Sequence, residues 1–131
     1  MLLVRTTIGP SAVHGIGLFT AEPVAKGRLI WHFQPGFDHK FSLADLEKMS
    51  PAAQEQVLNY AYRSKESGLY ILCGDDARFF NHSAAPNVID DPLEEGFVAA
   101  ARDIAVGEEL MCDYQVFDAD FAHKFPAAAG I

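Results

Sequence analysis

Apolar and polar positions alternate in short bursts along most of this chain and switch to a helical spacing once. The bursts are LLVRTTI, GLFTA and RLIWHF early on, and LYILC, NVID, FVAAA and ELMCDY later. Each is rich in β-branched or aromatic residues and is bounded by Gly, Pro, Asn or Asp, so each predicts a short strand. Tyr114 is expected to end the last of them. SLADLEKM predicts a short helix with Ser42 as N-cap. SPAAQEQVLNYAYR predicts a second, with Ser50 as cap and Pro51 at the first helical position. Its apolar face runs Ala53, Val57, Ala61, with Leu58 and Tyr62 beside it. The expected class is therefore α+β, mainly β. It is one domain over residues 1–131, with a helical insert at about 42–64 and a C-terminal tail at about 115–131.

Glycines and prolines punctuate this pattern. GPSAVHGIG predicts a loop. EPVAKGRLI and RDIAVGEEL align at an offset of 80 residues, an apolar residue and Ala followed by Gly and a strand start. Gly27 and Gly107 are placed to take positive φ in the same kind of turn, so the echo is expected to be structural.

Composition narrows the class. Half of the 131 residues are apolar and 21% are charged, enough for a packed core. No apolar run approaches the length of a membrane span, and MLLVRTTIGP turns polar too early for a secretory signal. The chain is expected to be soluble and cytoplasmic, with secretion into a host cell left open. Cys73 and Cys112 are then expected to be free thiols. The net charge of −8 comes with no Lys or Arg cluster, which argues against a nucleic-acid partner. An acidic surface steers basic peptides, although it also simply keeps a protein in solution.

Candidate chemistry concentrates in DARFFNHSAAPN. Asn81 heads an N-x-S glycan acceptor, which matters only in an exported chain. Ser83 and His82 are adjacent, point to opposite faces of an extended chain, and lack a G-x-S-x-G elbow, so they make no hydrolytic pair. His14, His32, His39, His82, His123, Asp75 and Asp76 show no metal-ligand spacing, and no metal site is expected. HGIG lacks the third glycine of a dinucleotide fingerprint and the Lys of a P-loop, and reads equally as a tight turn. Tyr114 alone reads as a half-buried packing residue.

Taken in order, HGIGLFTAEPVAKGRLI, ARFFNHSAAPNV and AARDIAVGEELMCDY resemble the three sequence blocks of SET-domain methyltransferases. Those blocks are a G-x-G, an R-F-[IM]-N-H-S-C-x-P-N and a G-E-E-L-x-x-[DE]-Y. The resemblance implies a β-clip-like fold of several small sheets, with the NHS segment threaded under the C-terminal block as a pseudoknot. It implies S-adenosylmethionine as cofactor, contacted by Asn81 and His82, with His14, Gly15, Ile16 and Gly17 closing over it and Tyr62 as a further contact. Tyr114 matches the catalytic tyrosine, and the stretch from Ser42 to Arg63 matches an insert that helps select substrate. The implied activity is methyl transfer to the ε-amine of a protein lysine in a narrow channel. The implied partner is a basic protein or peptide carrying that lysine, with no membrane and no nucleic acid, and a homodimer is left open. The alternative is a degenerate SET module that binds cofactor or a basic peptide without turnover.

The chemistry agrees with the residue types. In-line transfer needs a neutral amine, whose free pKa is about 10.4, and a dry channel beside a sulfonium lowers it. Alignment and oriented oxygens then matter more than a strong base. Trp31, Phe33, Phe117 and Phe121 are candidate walls, with core packing as the alternative. The chain departs from the family pattern in four places. Ala84 and Ala85 follow Ser83 where a Cys is usual. Cys112 stands where Phe or Tyr is usual, leaving the number of methyls open. His32 stands where a channel Tyr is common. No cysteine-rich zinc module follows Tyr114, so the tail from Phe117 to Phe125 is expected to fold over the site.

Overall fold

The structure, a computed structural model, describes residues 1–91 and 96–124. Among the described residues, ten short strands form four small sheets. β1 (Thr6–Pro10) and β2 (Ile16–Thr20) make an antiparallel hairpin. β3 (Leu29–His32), β8 (Val88–Asp90) and β9 (Phe97–Ala100) make a sheet of order β3-β9-β8. β4 (His39–Phe41), β5 (Tyr62–Arg63) and β6 (Tyr70–Leu72) make one of order β4-β6-β5. β7 (Asn81–His82) and β10 (Met111–Cys112) form a parallel pair.

The helical insert forms as its caps dictate. Asp45 N donates to Ser42 Oγ at 3.1 Å, and Ser42 N donates back to Asp45 Oδ2 at 2.9 Å. This reciprocal box starts α1 (Leu43–Glu47). Ser50 caps α2 (Pro51–Tyr60), whose Val57 is buried under the insert with Leu46 and Ala61. Two details differ from expectation. α2 stops at Tyr60, because Ala61 turns extended (φ −80°, ψ 154°) and Tyr62 and Arg63 leave to pair with β6. Leu58 is 46% exposed; one residue past Val57, it sits about 100° round the helix from the buried stripe. A 3₁₀ turn, Asp76–Phe79, then leads into β7.

The repeated turn is a local pseudo-twofold. Val24 and Ile104, 80 residues apart, exchange both main-chain hydrogen bonds at 2.9 and 2.8 Å. Gly27 N donates to Ala100 O and Gly107 N to Thr20 O, each at 2.8 Å. Both glycines hold positive φ, 86° and 87°, where a Cβ would be strained. The main core packs Leu18, Val24, Ile30, Val88, Ile104 and Leu110 around this junction. The turns thus lock the two sequence halves together and fix where the C-terminal block runs.

Candidate functional site

Residues 108–112 are laid between two other segments. On one side Leu110 N donates to Leu18 O at 2.7 Å and Thr20 N to Glu108 O at 3.1 Å. On the other, β10 pairs with β7 in register Met111 to Asn81 and Cys112 to His82. Asn87 closes the crossing: its Nδ2 donates to Glu109 O and its Oδ1 accepts from Met111 N, both at 2.8 Å. Asn87 is 3% exposed; its amide satisfies backbone groups that burial would otherwise leave unpaired. The fold thereby brings together Asn81 and Tyr114, in the crossing arrangement expected of the pseudoknot.

Two faces result. On the first, Asn81 Nδ2 points to His14 O at 3.0 Å, Ile16 O at 3.3 Å and Glu109 Oε2 at 2.9 Å. Three acceptors face the two hydrogens of one amide. Ser11 Oγ donates to the Glu109 carboxylate at 2.8 Å and accepts from Val13 N at 3.0 Å, which organises the loop. Gly17 makes room for this arrangement: a Cβ there would meet the Glu109 carboxylate at 2.8 Å. A shallow depression of about 430 Å³ beside it is lined by Ile8, Gly9, Pro10, Gly15 and Ile16.

The second face is a cavity of about 810 Å³ whose wall includes Trp31, Tyr62, Asp90, Cys112, Tyr114 and Phe117. Tyr114 opens α3 (Tyr114–Phe117), with Asp113 as N-cap. It is thus the first residue of a helical turn rather than a strand end. Its hydroxyl donates to Phe80 O at 2.6 Å, and its backbone N–H donates to His82 Nδ1 at 3.2 Å. Burial, then the neighbouring Cys112 and Cys73 thiols, hold its phenol well above the usual range. Burial also pushes the Tyr62 phenol up, followed by the fields of Cys73 and Asp90. Burial raises the Cys112 thiol and takes Cys73 to about 12. Both phenols and both thiols are therefore neutral near pH 7: donors and oriented oxygens, not bases or nucleophiles.

The start of the tail forms part of this cavity's wall, and the rest packs behind it. Lys65 N donates to Phe117 O at 3.0 Å and Ala119 N to Arg63 O at 2.7 Å, which covers the outer edge of β5. The Phe117 ring lies 4.9 Å from Tyr62 and 5.0 Å from Tyr114. Asp118, wholly buried, accepts from Arg63 N, Asp120 N and Lys124 Nζ at 3.1, 3.0 and 3.0 Å. In α4 (Phe121–Lys124), the Phe121 ring packs 4.9 Å from His82. Phe125 lies outside the described residues.

Of the residues singled out from sequence, His14, Ile16, Gly17 and Asn81 converge on the first face, and Gly15 lines the depression. Gly15 takes positive φ, 48°. His82 and Tyr62 turn elsewhere. The His82 imidazole serves Tyr114 and Phe121, and Tyr62 stands in the cavity with Tyr114. Trp31 and Phe117 wall the cavity, whereas the Phe33 ring lies under Lys40 Nζ at 4.4 Å and Phe121 is buried. Glu109 and Asp90 carried no sequence signal of their own. Glu109 sits inside the recognised G-E-E-L, where its role was hidden, and Asp90 reads as an ordinary strand charge. Among the described residues no group of three or more His, Cys, Asp or Glu side chains is placed to hold a metal ion.

The SET domain family pattern matches residues 15–115. A Schizosaccharomyces pombe histone-lysine N-methyltransferase, H3 lysine-4 specific, is 33% identical over 129 residues, 93% of this chain and 14% of that protein. The Drosophila melanogaster histone-lysine N-methyltransferase trr is 27% identical over 137 residues, 92% of this chain and 5% of that protein. This chain therefore spans a small part of the length of the relatives it matches. Among solved structures, Chaetomium thermophilum Polycomb Repressive Complex 2 bound to GSK126 aligns with 95% of this chain and 17% of that one, at TM-score 0.65 and 20% identity. The same complex in an autoinhibited conformation bound to S-adenosylmethionine aligns with 97% of this chain and 17% of that one, at TM-score 0.64 and 20% identity.

Proposed function

The chain belongs to the SET-domain family, and from that premise we propose that it transfers a methyl group from S-adenosylmethionine to the ε-amine of a lysine in a basic protein. The observation that carries this reading is the position of Tyr114. Its backbone is tied to His82, next to Asn81, while its hydroxyl is held in the cavity by Phe80 O.

The first face suits the amino-acid end of the cofactor. The carbonyls of His14 and Ile16 and the Glu109 carboxylate form an oxygen-rich cluster around Asn81, a setting that favours an ammonium group. When bound, S-adenosylmethionine supplies an electrophilic methyl on a sulfonium. Tyr114 and Tyr62, kept protonated by burial, give the cavity fixed polar oxygens without a negative charge. The apolar Phe117 and Trp31 exclude water around an incoming lysine stem, which lowers the cost of presenting a neutral amine. Phe80 O and the Tyr114 hydroxyl keep one orientation, so alignment is set before the amine arrives.

Incubation of the protein with S-adenosylmethionine and a panel of basic proteins, histones first, tests the reading by mass spectrometry. We expect gains of one or more methyl groups on a lysine. Cofactor-dependent stabilisation in a thermal melt without methyl gain on any panel member would favour the degenerate binding module instead.

A further inference from the structure

The loop of residues 11–15, between β1 and β2, is held down by hydrogen bonds rather than by packing. Residues 12–15 are exposed, Val13 by 54%, so no buried apolar side chain anchors it. Loops of this kind lie at the low end of local stability. Among the described residues, hydrogen bonds tie it to the rest of the chain at two points. Ser11 Oγ donates to the Glu109 carboxylate at 2.8 Å, and Asn81 Nδ2 donates to His14 O at 3.0 Å.

Both ties meet at one carboxylate oxygen. Glu109 Oε2 accepts from Ser11 Oγ and from Asn81 Nδ2, each at 2.9 Å. The Asn81 amide has two hydrogens for this oxygen, His14 O and Ile16 O. The loop carbonyls and the carboxylate therefore compete for it, and the position of the carboxylate sets the outcome. The Glu109 backbone is fixed, because its carbonyl accepts from Asn87 Nδ2 at 2.8 Å. Its side chain takes its direction from Ser11 and Asn81.

Ser11 serves the loop and the carboxylate with one hydroxyl. Its oxygen accepts from Val13 N at 3.0 Å and His14 N at 3.3 Å, and its backbone N–H donates to Gly15 O at 2.8 Å. The single hydroxyl hydrogen goes to Glu109. A hydrogen bond to an ionised acceptor is stronger than one between neutral groups, so this bond is the firmer of the two ties. Gly17 leaves room for it, since a Cβ there would meet Ser11 Cβ at 3.0 Å. The family pattern covers residues 15–115, so Ser11 stands outside it while Asn81 and Glu109 stand within.

We propose that Ser11 is a positioning residue for the cofactor: its bond to Glu109 latches residues 11–15 onto Asn81 and sets how long S-adenosylmethionine stays bound. Ser11 acts through Glu109 and touches no reacting atom. With the hydroxyl in place, the carboxylate is held between the loop and Asn81, and His14 O stays aimed at the amide. Without it, the loop keeps only its tie to Asn81, and the carboxylate is free to swing. The latch governs cofactor release, not the transfer step and not peptide capture. The inference rests on the methyltransferase reading for its ligand, whereas the latch is a property of the free chain.

The test begins with NMR of the free chain, read at the Asn81 side-chain amide, which Ser11 does not itself touch. In Ser11→Ala those protons should exchange with solvent about tenfold faster, the scale of one lost hydrogen bond to a charged group. Stopped-flow release of S-adenosylmethionine should speed up by the same factor, with the peptide KM and the rate at saturating cofactor unchanged. Ser67→Ala, which removes a comparable turn bond to Leu69 N far from Asn81 in sequence, should match the parent. Glu109→Ala and the double variant should release the cofactor at one common rate, because Ser11 acts through Glu109. Additive effects of the two substitutions, or a Ser11→Ala chain that releases cofactor as slowly as the parent, would overturn the proposal. A parent that binds no S-adenosylmethionine, with the Asn81 protons of Ser11→Ala still exchanging faster, sinks the methyltransferase reading and leaves the latch standing.

Discussion

The two faces that meet at Tyr114 are built by opposite means. The Asn81 face is polar: three oxygens close on one amide within 3.3 Å, with Ser11 bonded to Glu109 and Gly17 leaving it room. Every member but Ser11 comes from one of three short sequence blocks. The cavity face is mostly apolar, and its wall draws on β3, β5, β8, β9, the 3₁₀ turn and the tail. Hydrogen-bond geometry tolerates little change, so the first face demands particular residues at particular spacings. An apolar wall demands only volume and burial, so it is free to carry Cys112, Asp90 or a tail phenylalanine where another chain carries something else. The difference teaches which face a proposed shared chemistry constrains and which is left free to vary with substrate.

The comparison can be broken from either side. The largest effect is expected on the cavity face. Asp118→Ala removes a buried acceptor of three donors and leaves Lys124 Nζ only its bond to Ala61 O, which should cost about 3 kcal/mol of stability. Urea unfolding measures this loss. Calorimetry should at the same time show unchanged cofactor affinity in the folded protein. A variant as stable as the parent would show that Asp118 does not hold the tail.

A smaller effect is expected on the polar face. Gly17→Ala sets a Cβ at 2.8 Å from the Glu109 carboxylate, so Glu109 must leave Asn81 or Ser11. Cofactor affinity should fall about tenfold, or roughly 1.4 kcal/mol, with the peptide KM unchanged. A raised peptide KM at unchanged cofactor affinity would mean that the two faces are not separable.

The smallest effect concerns the thiols. Burial raises Cys73 from 9.0 to about 12, so the native state keeps a proton that the unfolded chain releases. This contribution to stability is complete below pH 9 and is lost as pH rises from there toward 12. Thiol reagents at pH 8 should therefore label the native protein slowly and the unfolded protein fast. Rapid native labelling would show that the wall opens.

Much of the polar face was legible in the chain, and much of the cavity was not. Ser42, Ser50 and Pro51 announced their helices because capping is a local interaction. Asn81 and Tyr114 were legible because the block spacing is rigid. Tyr62 continued a helical stripe on paper, but pairing with β6 drew it into a strand, and no local signal encodes a partner nine residues away. Tyr114 was expected at a strand end, yet Asp113 accepts from Gln115 N and starts a helical turn. The aligned Gly27 and Gly107 turns were visible, but not that Val24 and Ile104 pair with each other. Asp90 was silent for a related reason: only sheet register sets it in line with Trp31.

The central claim is that Tyr114, held by Phe80 O at the junction of the two faces, organises methyl transfer to a lysine. The direct measurement is single-turnover methyl transfer by the parent and by Tyr114→Phe, with cofactor affinity measured in parallel by calorimetry. The account predicts a loss of about 100-fold in rate, the scale of one preorganised donor, at unchanged cofactor affinity. A Tyr114→Phe protein that transfers methyl groups as fast as the parent would contradict it.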